Sequence, residues 1–66
     1  MNIKDFTQDE IDYLLDRCNF VNFEKDLFVL RAQGETIETI AEMLNISYDY
    51  ARKISQKVNR KIIRVL

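Results

Sequence analysis

The stretch Thr36–Gln56, TIETIAEMLNISYDYARKISQ, constrains the fold of this chain more than any other. Ile37, Ile40, Ala41 and Leu44 recur at the three-and-four spacing that lines one face of a helix. Asn45 follows, a residue that tolerates the left-handed backbone at which helices commonly stop. Ile46 returns an apolar side chain to the core, and Ser47 is suited to cap the first free amides of a second helix. There Ala51, Ile54 and Val58 continue the apolar stripe, which leaves Arg52, Lys53, Gln56, Lys57 and Arg60 pointing elsewhere. Small Ala41 sits where two helices would approach closely. Two helices meeting at a tight turn are expected.

That layout is a helix-turn-helix, whose second helix lies in the DNA major groove. An αα-hairpin in a small bundle that binds nothing in particular would show similar apolar spacing, so charge must discriminate. From Met1 to Tyr50, eleven acidic residues are met by only Lys4, Arg17, Lys25 and Arg31, a net of −7. From Ala51 to Leu66 there are six basic residues and no acidic one, a net of +6. A merely solvated face usually mixes the signs, whereas a wholly basic helix favours a polyanion. The pI of 5.3 averages this asymmetry away.

Sixty-six residues allow one domain, 1–66, with the helix-turn-helix core at 36–56. A core this small leaves little room for an enclosed small-molecule pocket, so no small-molecule substrate is expected. The absence of Pro and the single Gly point to an almost entirely helical chain. Cys18 is the only cysteine and there is no His, so no intramolecular disulfide, metal site or cofactor is expected. The usual nucleophile–base pairings cannot be assembled either, and no enzyme is expected. Met1–Phe6 lacks a basic start and an apolar run, and no segment approaches the roughly 20 apolar residues that span a bilayer. A cytoplasmic protein without a membrane partner is the expectation.

Caps and periodicity place four helices near 8–17, 23–33, 37–44 and 48–64. Met1–Lys4 reads as a loose lead-in. Thr7 and Glu10 form a capping box, with Phe6 and Ile11 as its hydrophobic staple. Ile11, Leu14, Leu15 and Cys18 give the buried face of the first helix, while Tyr13 suits core or surface. Asn22 is the expected cap of the second helix, whose apolar surface comprises Phe23, Leu27, Leu30 and either Val29 or Phe28. Gly34 stops that helix and Thr36 caps the third. The fold class is all-α, a small four-helix domain containing a helix-turn-helix.

The run Phe23–Phe28 through Ala32-Gln33-Gly34, then Ile37, Ile40-Ala41 and Leu44-Asn45-Ile46-Ser47, resembles the DNA-binding domain of sigma-70 region 4 and LuxR-type regulators. The likeness covers about 19–62. In that family a helix ends at a Gly stop, followed by an "I-A-x-x-L" helix, a turn and "I-S". The resemblance implicates Ser47, Tyr48, Asp49, Arg52, Lys53 and Gln56 in contacts to bases and phosphates. Three departures stand out. Asn45 replaces the usual Gly of the turn, Val21 or Asn22 stands where a Thr or Ser cap is common, and Tyr50-Ala51 replaces a frequent Thr-Val that contacts phosphate. Nothing resembles the promoter-melting region of a complete sigma factor. Small free-standing modules of this kind resemble products of phages and mobile elements.

Two functions remain open at this point. In the first, the 47–61 helix enters double-stranded DNA as part of a transcription regulator. Arg52 and Lys53 would donate to guanine, Gln56 would pair with adenine and Asp49 would accept from cytosine. Lys57, Arg60, Lys61 and Arg64 would hold phosphates, and Tyr48 and Tyr50 would meet the backbone or thymine methyls or pack on the second helix. A homodimer seam through Ile62, Ile63, Val65 and Leu66 is expected, because one recognition helix rarely gives useful selectivity. In the second function the acidic first half docks on RNA polymerase or another regulator, without DNA contact.

Overall fold

Helices form between the cap residues that the sequence supplies. The computed structural model describes residues 3–66, and among them no strand occurs. A short 3₁₀ turn, Ile3–Asp5, precedes α1 (Gln8–Arg17), α2 (Phe23–Ala32), α3 (Ile37–Leu44) and α4 (Tyr48–Val65). The expected spans differ from these by one residue at the ends of α2 and α4.

The capping box closes as expected: the Glu10 N–H donates to Thr7 Oγ1 at 3.2 Å and the Thr7 N–H donates to Glu10 Oε1 at 2.8 Å. Thr36 Oγ1 accepts from the Thr39 N–H, and Ser47 Oγ from the Tyr50 N–H at 3.1 Å. Two helix ends share one hydrogen-bond pattern. At Gly34 (φ +95) the Glu35 N–H reaches the Leu30 carbonyl at 3.1 Å and the Gly34 N–H reaches Arg31 at 2.9 Å. At Asn45 (φ 58, ψ 44) the Ile46 N–H reaches Ala41 at 2.9 Å and the Asn45 N–H reaches Glu42 at 3.2 Å. Both are Schellman stops, which satisfy carbonyls the helix would otherwise leave orphaned. The second one sets the turn between α3 and α4.

Two expectations need correcting. Of the lead-in, Met1 and Asn2 lie outside the described residues, but Ile3 is 4% exposed and its 3₁₀ turn lies against α2. An apolar residue so near a small core is worth burying. Asn22 stands at the cap position of α2, yet its side chain caps nothing. Its backbone, at φ 53 and ψ −126, lies outside the extended region from which a cap side chain reaches the next amides. Glu24 substitutes: its Oε1 accepts from the Val21 N–H at 3.1 Å, and its own N–H donates to the Val21 carbonyl at 3.0 Å.

α4 is the spine. Ala51, Ile54, Val58 and Ile62 are buried along one side of it, against Leu27 and Phe28 of α2, Ile40 of α3, Leu14 of α1 and Cys18 just after α1. Phe28, rather than Val29, is the fully buried residue of the pair left open on α2, and Phe20 from the preceding link stacks on it at 5.1 Å. Each such buried large side chain contributes about 1.5–3 kcal/mol. Tyr13 is exposed, beneath the Arg17 guanidinium.

One polar contact joins three parts of the chain. Lys61 Nζ donates to Glu24 Oε1 at 2.5 Å and to the Asn19 carbonyl at 2.6 Å, tying α4 to the start of α2 and the start of the α1–α2 link. The Lys61 carbonyl in turn accepts from Cys18 Sγ at 3.6 Å. Burial pushes the Glu24 carboxyl up, but the bonds from Lys61 and the Val21 N–H, with the charges of Lys61 and Lys57, outweigh it. Glu24 therefore titrates below its ordinary value. Burial raises the Cys18 thiol, against the pull of Lys61, which keeps it a protonated packing residue.

Two stability measurements check this packing. Ala51 is fully buried, whereas Ala41 borders an open groove with Glu38, Glu42, Ile46 and Tyr48 into which a larger side chain can lean. Ala51→Leu should therefore cost about 1–3 kcal/mol by overpacking. That is about 4–8 °C in Tm per kcal/mol, and Ala41→Leu should cost less. Equal melting temperatures for parent and Ala51→Leu would contradict the packing. The second measurement concerns Glu24. A carboxyl with a depressed folded pKa stabilises above its unfolded pKa and loses that contribution as pH falls through the folded one. Glu24→Gln should cost about 1–2 kcal/mol in urea unfolding at pH 7, with Lys61 partly reaching solvent. The gap to the parent should close from about pH 4.5 downward.

Candidate nucleic-acid interface

The apolar stripe of α4 dictates where its polar residues go. With Ala51, Ile54, Val58 and Ile62 inward, a turn of about 100° per residue places Asp49, Lys53, Gln56 and Arg60 on the opposite side. Arg52 flanks this ridge on one side, and Lys57 and Arg64 on the other. Ser47, Tyr48, Asp49, Tyr50, Arg52, Lys53, Gln56, Lys57 and Arg60 are all exposed. Lys53, Gln56 and Arg60 thus form one outward row, with Asp49 in the first turn, where the helix dipole favours a carboxylate.

Not every expected contact residue is free. The Tyr50 ring meets Phe23 edge-on, centroids 6.3 Å apart at 88°, so it packs on α2 while remaining half exposed. Tyr48 lines the groove it shares with Glu38 and Glu42. The Ser47 hydroxyl is engaged as the cap of α4. Lys61, expected at a phosphate, is committed to Glu24 and Asn19 instead, because it follows Val58 by three residues and faces α2.

The expected seam at the chain end also changes. Ile62 is fully buried in the domain's own core, the next step of the stripe after Val58, and Val65 packs partly against that core. Only Ile63 (64% exposed) and Leu66 (76%) stay uncovered. These two side chains alone fall well short of the roughly 800 Å² per partner of a stable interface.

Sequence reasoning missed Glu24 and Arg17. Glu24 meets Lys61 across 37 positions of chain, a separation that carries no local signal. Arg17, from the acidic first half, lines a surface depression together with Lys61 and Arg64, so the fold adds it to the basic surface. Lys25, the next cation along the chain, lines an adjoining depression together with Arg17.

Among the described residues no group of three or more His, Cys, Asp or Glu side chains is placed to hold a metal ion. No helix there is long and apolar enough to cross a membrane. Comparison with known proteins adds no assignment: no family model, curated protein or solved structure matches the chain.

Proposed function

We propose that this chain is a sequence-specific DNA-binding regulator, a helix-turn-helix module of the sigma-70 region 4 or LuxR kind, that lays α4 in the major groove. One observation carries the proposal. The exposed side of α4 beyond its first turn bears Arg52, Lys53, Lys57, Arg60 and Arg64 with no carboxylate among them. In this reading Lys53 and Arg52 donate to guanine edges, Gln56 pairs with adenine and Asp49 accepts from cytosine. Lys57, Arg60 and Arg64 hold phosphates and set the register. No catalysis is assigned to the chain, and its work would lie in the cytoplasm.

The competing reading is an adaptor that docks on RNA polymerase or another regulator without touching DNA. The net −7 of residues 1–50 and the Glu38–Glu42 groove favour it. Two-fold pairing on DNA would now rest on Ile63 and Leu66. Sedimentation of the parent against Leu66→Glu, with and without duplex, tests it; identical monomeric masses at tens of micromolar would remove the dimer.

Selection of bound sites from random duplexes, followed by anisotropy at several salt concentrations, tests the main proposal. Arg52→Ala or Lys53→Ala should relax base preference and cost about 1–3 kcal/mol where the side chain makes a bidentate contact. Lys57→Ala and Arg60→Ala should weaken all sequences alike and lower the salt slope by about 1 each. If all four variants bind as the parent does, α4 is not the reader and the adaptor takes its place.

A further inference from the structure

The two flanks of α4 face neighbours of opposite charge, although Arg52 of α4 itself lies on the α3 side. Toward α3, Tyr48 shares its groove with Glu38 and Glu42, both exposed. Toward the α1–α2 link, Arg17 lines one depression with Lys61 and Arg64, and an adjoining one with Lys25. Lys61 is neutralised by Glu24, so Arg17, Lys25 and Arg64 are the exposed cations of this corner. Lys57 belongs to the same flank, since its charge acts on Glu24.

Arg17 is held for such a role. Its guanidinium carbon sits 5.1 Å from the centroid of the Tyr13 ring, which orients the head without using up its donors. Its one carboxylate neighbour, Asp16, stands 3.8 Å away, and the two side chains are 60% and 82% exposed. A pair so loose and so wet is worth little, and a phosphate displaces it at small cost.

We infer that the phosphate backbone of bound DNA crosses the α1–α2 corner, where Arg17 and Arg64 grip it, while Glu38 and Glu42 hold the other strand off the α3 flank. The inference rests on the DNA-binding reading above and adds to it a docking direction and a residue from the acidic first half. Sequence-independent phosphate grips of this sort fix how a recognition helix enters the groove. Exposed carboxylates within a Debye length, about 10 Å at 0.1 M salt, repel the opposite strand.

The test is anisotropy of the full chain on its selected duplex and on an unrelated one, across a salt series. Arg17→Gln and Arg64→Gln should each weaken both duplexes alike, about 5–10-fold at 0.1 M salt, and lower the salt slope by about 1. Arg17→Lys should retain most of the affinity, which separates lost charge from lost packing on Tyr13. Glu38→Gln combined with Glu42→Gln should tighten both duplexes, whereas Lys4→Gln, beside Arg31 and Gly34, should change nothing. If Arg17→Gln matches Lys4→Gln while Arg60→Ala still weakens binding, the docking direction is overturned and the DNA reading stands. A parent chain with no salt-dependent DNA binding overturns both.

Discussion

Everything in this fold leans on one narrow apolar stripe. Ala51, Ile54, Val58 and Ile62 are the only buried residues of α4, and α1, α2 and α3 all pack against that helix. A stripe of one residue per turn cannot cover more than one side of a helix, so most of the remaining positions face water. Of the other fourteen positions on α4, six are basic and only Asp49 is acidic. The residues that stabilise the domain and the residues that would meet a polyanion are therefore interleaved in sequence and separated in space.

The helix stops do the angular work. A domain with one Gly and no Pro has few ways to turn a chain sharply. It uses its Gly at the α2 end and Asn45 at the α3 end, and both adopt the same doubly bonded stop. Asn is the non-glycine residue best suited to left-handed backbone, so the turn keeps its geometry without a second Gly. Asn22 is less comfortable, since φ 53 with ψ −126 is a region that favours glycine. The two bonds between Val21 and Glu24 over-determine it.

Local signals made the helices legible. Thr7, Thr36 and Ser47 cap where cap residues were expected, and the three-and-four spacing named the buried faces of α3 and α4. What escaped were contacts made by distant residues. The start of the chain looked loose because its apolar residue has no periodic neighbours, yet Ile3 is drawn onto α2. Lys61 looked like one more cation on a basic helix because its partner lies in another element. Ile62 looked like spare apolar surface because nothing local shows how far a stripe stays covered. The outward row of α4 was legible from periodicity, whereas the part of Arg17 in the basic corner was not, since it depends on how α1 crosses α4.

Lys61 is where the division between inner and outer faces of α4 breaks down. It is part of the basic run by sequence, but its charge is spent inside the molecule on Glu24 and the Asn19 carbonyl. Truncating it would leave the Glu24 carboxylate nine-tenths buried without its cation, a loss of folding rather than of ligand contacts. Arg60 and Arg64, one position before and three after it, are exposed and carry no such obligation. A substitution in this helix thus has a meaning set by its angle around the axis. Inward positions report on stability, outward ones would report on a polyanion partner, and Lys61 reports on stability although it has the chemistry of the outward set. Counting the basic residues of α4 overstates the charge available to a partner by one, and the exposed Arg17 of α1 supplies one of the same sign from the opposite end of the sequence.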